Sequence, residues 1–271
     1  LRWGVLSTGN IARSFAQGIL DSRKGRLEAV GSRDLTKARA FAREFGIPTA
    51  HGCYEDLLRD PKVEAVYIAT PHPQHAQWAI QAAKAGKHIL CEKPLTMDRN
   101  EARRVVDAAR KSGVFLMEAF LFRCHPQTRK IIDLIQGNAL GEIRFIRSSF
   151  CFERPLDLRH RLFNKRLGGG GILDVGCYPA AMARLLAGAA LGRPFAEPLS
   201  IQGVGVMGKK SGVDEMASAA LKFPGGILAE ISCAIRADRG PSFLKIDGSL
   251  GSLTVPSPWS AERYGGTSYL Y

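Results

Sequence analysis

Over its first 120 residues the chain repeats one pattern: a short apolar run, a turn, then an amphipathic stretch. Trp3-Gly4-Val5-Leu6 ends at Ser7-Thr8-Gly9-Asn10, and Ile11 to Leu20 reads as a helix. Leu27-Glu28-Ala29-Val30 ends at Gly31-Ser32-Arg33-Asp34, and Leu35 to Phe45 follows with Ala38, Phe41, Ala42 and Phe45 on one side. The pattern continues with strands over 63–69, 88–91 and 114–119 and helices over 76–85 and 98–111. Alternation with short connections points to a parallel sheet covered on both faces, with right-handed crossovers. The expected fold is therefore α/β, a doubly wound parallel sheet over residues 1–120, with ligands beyond the C-terminal ends of its strands.

Residues 121–271 change character. A helix over 127–136 leads into a long strand over 142–152, an Arg-rich loop, four glycines (168–171) and a helix to Ala187. Strand-like runs follow over 199–207, 216–223, 227–235, 242–246 and 252–255, with a hairpin turn at Lys222-Phe223-Pro224-Gly225-Gly226. Short turns between strands suggest an α+β domain with an antiparallel sheet. A chain of 271 residues has room for both domains.

Lysine and arginine total 38 against 25 acids, and the stretch 99–166 alone carries 15 basic and 7 acidic residues. Such a field attracts anions. Zinc-finger spacing and an aromatic-basic RNA signature are both missing from the sequence, so we read no nucleic-acid partner. No stretch approaches the roughly 20 apolar residues of a membrane span, and Leu1 leads directly into a strand rather than a signal-like apolar run. Cysteines 53, 91, 124, 151, 177 and 233 form no C-x-x-C pair and read as reduced thiols of a cytoplasmic protein.

Four segments carry chemistry. The turn Ser7-Thr8-Gly9-Asn10-Ile11-Ala12 stands where a dinucleotide fingerprint belongs, with Gly9 for close backbone approach, Ala12 for helix packing, and Ser7 in the place of the first glycine. Amides at the helix start would hold a pyrophosphate. At the end of the second strand, Ser32 and Arg33 suit the 2′-phosphate of NADP. Asp34 argues for NAD but is also a good helix N-cap, and NADP is preferred. Cys91-Glu92-Lys93-Pro94 ends a further strand at the crevice mouth, where spacing alone does not separate a catalytic lysine from a surface ion pair. In Gly169-Gly170-Gly171-Ile172-Leu173-Asp174-Val175-Gly176-Cys177-Tyr178, an acid and a phenol four apart share a face if a helix starts there. A capping Asp and a core Tyr are the structural alternative. His72 and His75 are three apart, but prolines 71 and 73 put His72 in a loop, and no metal site is expected. Phe120, Phe122, Phe150 and Phe152 read as core.

Taken in order, the fingerprint, Ala69-Thr70-Pro71 with His75, Glu92-Lys93-Pro94, Glu118-Ala119, Arg123 with Pro126, and the segment 170–178 resemble the glucose–fructose oxidoreductase / inositol dehydrogenase (Gfo/Idh/MocA) family. The resemblance runs from Leu1 to about Val255 and includes dihydrodiol dehydrogenase-like and sugar dehydrogenase members. It implies a Rossmann domain, an open-faced antiparallel sheet domain over 121–271, and an active site between them. It implies cofactor contacts from Ser7, Thr8, Gly9, Asn10, Ile11, Ser32, Arg33, Thr70, Pro71, His72, His75, Glu92 and Lys93. Lys93, Asp174 and Tyr178 would be catalytic and, with Arg123, would bind substrate. Tyr178 would be the acid/base, its pKa lowered by the Lys93 charge, and Asp174 would orient the substrate. The implied activity is hydride transfer between NADP, or NAD, and a secondary alcohol or carbonyl of a sugar, polyol or cyclic diol.

Two departures qualify this. Ser7 replaces a glycine, which weakens pyrophosphate binding slightly. The chain ends at Tyr271, where family members continue with further strands and a helix; this favours the alternative of a catalytically weak NADP-binding or regulatory member whose sheet binds a partner. A homodimer or higher homo-oligomer through that sheet is expected, because one chain covers only one of its faces.

Overall fold

The computed structural model of the chain describes residues 1–237 and 242–259 and the backbone of 269–270. They form two compact units, Leu1–Ala119 and the remainder from Phe120.

In the first unit the elements run β1 (Arg2–Leu6), α1 (Asn10–Leu20), β2 (Arg26–Gly31), α2 (Leu35–Phe45), β3 (Thr49–His51), α3 (Tyr54–Arg59), β4 (Ala65–Ile68), α4 (His75–Lys84), β5 (His88–Cys91), α5 (Arg99–Lys111) and β6 (Leu116–Glu118). Every strand pair is parallel, in the order β3-β2-β1-β4-β5-β6. The period-two alternation of strands explains why helices are needed on both faces. Val5, Val30 and Tyr67 enter one apolar cluster, while their neighbours Leu6, Ala29, Val66 and Ile68 enter another. Each fully buried large apolar side chain contributes about 1.5–3 kcal/mol. β3 and α3 were not expected from the sequence; they are too short for periodicity to declare them.

The second unit comprises α6 (Leu121–Cys124), α7 (Pro126–Gln136), β7 (Ile143–Cys151), α8 (Cys177–Ala190), β8 (Ser200–Met207), β9 (Asp214–Lys222), β10 (Leu228–Ala234), β11 (Phe243–Gly248), β12 (Ser252–Pro256) and β13 (Tyr269–Leu270). Its sheet has the order β13-β12-β11-β7-β10-β9-β8. The sheet is mixed rather than wholly antiparallel, because β7 and β10 pair in parallel at its centre. The cause is topological. α8 returns the chain to the starting end, so β8 runs with β7, and two reversals then bring β10 alongside β7 in the same direction. The β9–β10 turn falls at 223–227 as expected, with Gly225 and Gly226 at positive φ.

Ile131 and Ile135 of α7 and Met182 and Leu186 of α8 pack with Ile146, Leu221, Leu244, Ile246 and Val255 of the sheet. Although no membrane span is expected from the sequence, the helical run Lys165–Ala190 is long and apolar enough for one by length and composition. Half of its apolar window is buried, and Met182, Ala183 and Leu186 belong to the unit's core, so it is a core helix.

Candidate functional site

In the first unit the strand order reverses between β1 and β4, and loops after those strands lie at the switch point of the sheet. α1 starts at Gly9 without any side-chain cap, whereas Asp34 caps α2 and Asp98 caps α5. The first-turn amides of α1 thus have no side-chain acceptor, as at α3 and α4, an arrangement that suits an anion. Thr8 is half-buried, Gly9, Asn10 and Ile11 are exposed, and Ala12 is buried in the helix–sheet contact. Ser7 sits at φ 106, a conformation that favours glycine. Its amide donates to Gly31 O at 3.0 Å and its Oγ accepts from Gly9 N at 3.3 Å.

At the end of β2, Ser32 is buried and its Oγ accepts from Asp34 N at 3.2 Å. Asp34 Oδ1 accepts from Thr36 N at 2.9 Å and from Lys37 N at 3.3 Å, so this acid serves the helix. Arg33 is exposed, and its charge acts on the buried Tyr54 phenol. Burial pushes that phenol's pKa up, and the Arg33 charge draws it back.

After β4, Thr70 Oγ1 is buried without a hydrogen-bond partner. An orphaned hydroxyl at the switch point fits a ligand that supplies the missing bond. His72 follows in a short 3₁₀ turn and is buried. His75 is wholly buried; its Nδ1 is 2.7 Å from Pro94 O and its Nε2 is 2.8 Å from Thr70 O. This ring, expected as a cofactor contact, ties the β4 loop to the turn after β5. Two carbonyls favour an imidazolium, but burial, aided by the Lys93 charge, holds the pKa below its ordinary 6.5. Glu92, also expected at the cofactor, accepts from the Tyr67 hydroxyl and from Lys93 N at 3.3 Å, and so shapes the turn that presents Lys93. The Lys93–Pro94 peptide is cis, and Leu95 N donates to Glu118 Oε1 at 2.8 Å.

In the second unit the expected α-helical start at Asp174 is a π turn over Ile172–Gly176, and α8 begins only at Cys177. Close packing explains the wider turn. Asp214 on β9 accepts from Ile172 N at 2.6 Å, and Gly170 at φ 114 leaves no room for a side chain, since an added Cβ would lie 2.2 Å from Asp214 Oδ1. π turns of this kind recur at functional sites. Asp174 is buried, and Arg161 Nη2 donates to its Oδ1 at 2.9 Å. Tyr178 is half-buried in a box made by Phe120, Phe122, Phe150 and Trp259, with ring centroids 5.2 to 5.9 Å away. Trp259 Nε1 donates to Ser149 O at 2.8 Å, which fixes that wall. Three of these aromatics were read as core, and they are core residues organised around a phenol. Arg123 on α6 is exposed.

Arg161, Asp214, Trp259, Tyr54 and Tyr67 were missed by sequence reasoning. Only Arg161 carried a signal, an arginine-rich loop just before an acid that needs a counter-charge. Among the described residues no group of three His, Cys, Asp or Glu side chains could hold a metal ion. All six cysteines are free; burial pushes the Cys91 thiol well up and the Cys233 thiol to about 12, which leaves both unreactive at neutral pH.

The chain matches two family models: an oxidoreductase family with an NAD-binding Rossmann fold over residues 1–120, and a GFO/IDH/MocA C-terminal domain over 128–254. It is 37% identical over 264 residues to trans-1,2-dihydrobenzene-1,2-diol dehydrogenase of Mus musculus, covering 96% of this chain and 76% of the mouse protein. It is 39% identical over 220 residues to D-xylose 1-dehydrogenase (NADP(+)) 2 of Haloferax volcanii, covering 81% of this chain and 67% of the relative. Among solved structures, KijD10, a 3-ketoreductase from Actinomadura kijaniata in complex with NADP and TDP-benzene, superposes with a TM-score of 0.84 at 28% identity, over 100% of this chain and 84% of that one. The uncapped α1, the orphaned Thr70 hydroxyl and these likenesses converge: the chain belongs to the Gfo/Idh/MocA family of NAD(P)-binding oxidoreductases.

Proposed function

We propose that the chain is an NADP-dependent dehydrogenase or reductase acting on a secondary hydroxyl, or the matching carbonyl, of a sugar, polyol or cyclic diol. The observation that carries this reading is the pairing, on one turn, of an arginine-held buried carboxylate and a phenol boxed by aromatics. The activities for which the mouse and Haloferax relatives are named support the substrate class, and NADP stands in the name of the second.

The residues that would hold the dinucleotide are the amides of 8–11 at its pyrophosphate, Ser32 and Arg33 at the adenosine 2′-phosphate, and Thr70, Pro71 and His72 at the switch point. When bound, the nicotinamide supplies or accepts the hydride at its C4. In the oxidative direction Tyr178 Oη takes the proton of the reacting hydroxyl and returns it in reduction. Lys93 Nζ donates a hydrogen bond to the reacting oxygen, and its charge favours the ionised phenol. Asp174 accepts a hydrogen bond from a neighbouring substrate hydroxyl and so fixes which carbon faces the hydride. Arg123 adds a further substrate contact.

We also propose a cytoplasmic homodimer. Six free thiols suit a reducing compartment. β8 is exposed along its whole length, and its Val204 and Met207 line an apolar groove of about 460 Å³ between β8–β10 and Pro179, a surface suited to a second copy. Sedimentation as a monomer at micromolar concentration would count against it.

The test of the activity is a steady-state screen of D-xylose, polyols and trans-1,2-dihydrobenzene-1,2-diol with NADP and NAD. Turnover of at least one of them with NADP preferred is expected; no turnover with either cofactor on the whole panel would refute the reading.

A further inference from the structure

Asp174 has a charged partner outside its own turn. The carboxylate side chain is only 8% exposed, while the Arg161 side chain that meets it is 46% exposed. A carboxylate taken out of water needs a fixed counter-charge or it is held unfavourably. The backbone around Arg161 is tied to the same body. Gly170 N donates to Leu162 O at 2.9 Å, and Gly169 N donates to Asn164 O at 3.0 Å. Leu162 and Phe163, the two residues after Arg161, are buried against Val175, the residue after Asp174. His160 Nδ1 accepts from Leu162 N at 3.2 Å and closes the turn from which Arg161 projects. On the other side Asp214 grips Ile172 N. The Asp174 carboxylate is thus clamped by a guanidinium whose backbone cannot drift away from it.

We propose that Arg161 is a positioning residue: it holds the Asp174 carboxylate in one rotamer and in its ionised state, ready to accept a hydrogen bond from substrate. The proposal rests on the reading of Asp174 as the substrate-orienting group. Asp174 lies in a shared field. His160 beside it is held below the ordinary imidazole range by burial and by Arg154 and Arg161, and is drawn up by Asp157 and Asp174. Asp214 on β9 is the other acid against this turn. Guanidinium geometry matters as well as charge, because a planar fork keeps a carboxylate in register where an ammonium acts as a point charge.

The experiment compares the whole wild-type chain with Arg161→Met and Arg161→Lys. Carboxyl NMR of aspartate-labelled protein follows the titration of Asp174, and Michaelis kinetics use NADP with D-xylose and with trans-1,2-dihydrobenzene-1,2-diol. Arg161→Met should raise the Asp174 titration midpoint by about one pH unit or more. The acid limb of kcat/KM should move by the same amount. KM for the diol or sugar should rise roughly tenfold, while the NADP Kd stays within about twofold. Arg161→Lys, which keeps the charge and the fold, should recover the midpoint but only part of KM. An unmoved Asp174 titration in Arg161→Met would overturn the proposal, as would a KM unchanged in both variants. A wild-type chain that turns over neither compound refutes the functional reading instead; the titration needs no substrate and still decides whether Arg161 holds Asp174.

Discussion

Gly170→Ala tests the architecture that places Asp174. Gly170 has φ 114, which L side chains rarely adopt, so an alanine there stores about 1–2 kcal/mol of backbone strain. Its Cβ would also lie 2.2 Å from Asp214 Oδ1 and 2.9 Å from Asp214 Cγ, so the carboxylate must leave the Ile172 amide that it accepts from at 2.6 Å. Losing that charged hydrogen bond costs about 1.5–3 kcal/mol. Together the two effects come to roughly 2.5–5 kcal/mol, or about 10 °C in the melting temperature of a unit this size. Gly46→Ala is the control, because Gly46 has φ 63 with nothing within 4 Å of an added Cβ and should show the strain alone. The assay is calorimetry, with hydrogen exchange of residues 168–178 to assign the loss to the second unit. A double mutant with Asp214→Ser removes the overlap, and Gly170→Ala in that background should cost no more than Gly46→Ala. If Gly170→Ala and Gly46→Ala melt alike in the wild-type background, the overlap with Asp214 is not what holds the turn.

Two further outcomes are expected. Arg33→Ala should weaken NADP binding by about 1.5–3 kcal/mol and leave NAD binding nearly unchanged, read as two dissociation constants; an unchanged ratio would remove Arg33 from the 2′-phosphate. His75 has its folded-state pKa lowered below 6.5. The unfolded chain therefore binds more protons below about pH 6.5, and stability should fall as pH drops from there towards the folded-state pKa. Denaturant titrations across pH 5–7 should show that slope in the wild type and a flatter one in His75→Asn, and equal slopes would contradict the burial argument.

Elements whose signal lies within a few residues were legible in the sequence. The Ala38, Phe41, Ala42, Phe45 stripe is the buried face of α2, Asp34 is its cap, and β4 is buried at all four positions. Lys93, two residues after β5, and the segment carrying Asp174 and Tyr178 stood out in the sequence because their motifs are local. What was missed depends on partners far along the chain. The Trp259 indole meets Ser149 across 110 residues, Asp214 meets Ile172 across 42, and Arg161 meets Asp174 across 13. No periodicity encodes such pairs. The parallel pairing of β7 with β10 follows from how α8 returns the chain, which strand patterns cannot express. The π turn was read as an α-helix because glycines show that backbone approaches closely but not what it approaches.

The central claim is that Lys93 and Tyr178 act on one reacting oxygen, and turnover of the two single variants measures it most directly. On whichever sugar or diol the wild type oxidises with NADP, Tyr178→Phe should lower kcat by about 10²–10⁴-fold, the usual worth of general acid–base catalysis, with NADP affinity nearly unchanged. Lys93→Met should lose turnover as well and should shift the pH–rate curve of the remaining activity to higher pH, since the charge that favours the phenolate is gone. A Lys93→Met variant with wild-type turnover, or a Tyr178→Phe variant that loses only thermal stability, would contradict the account.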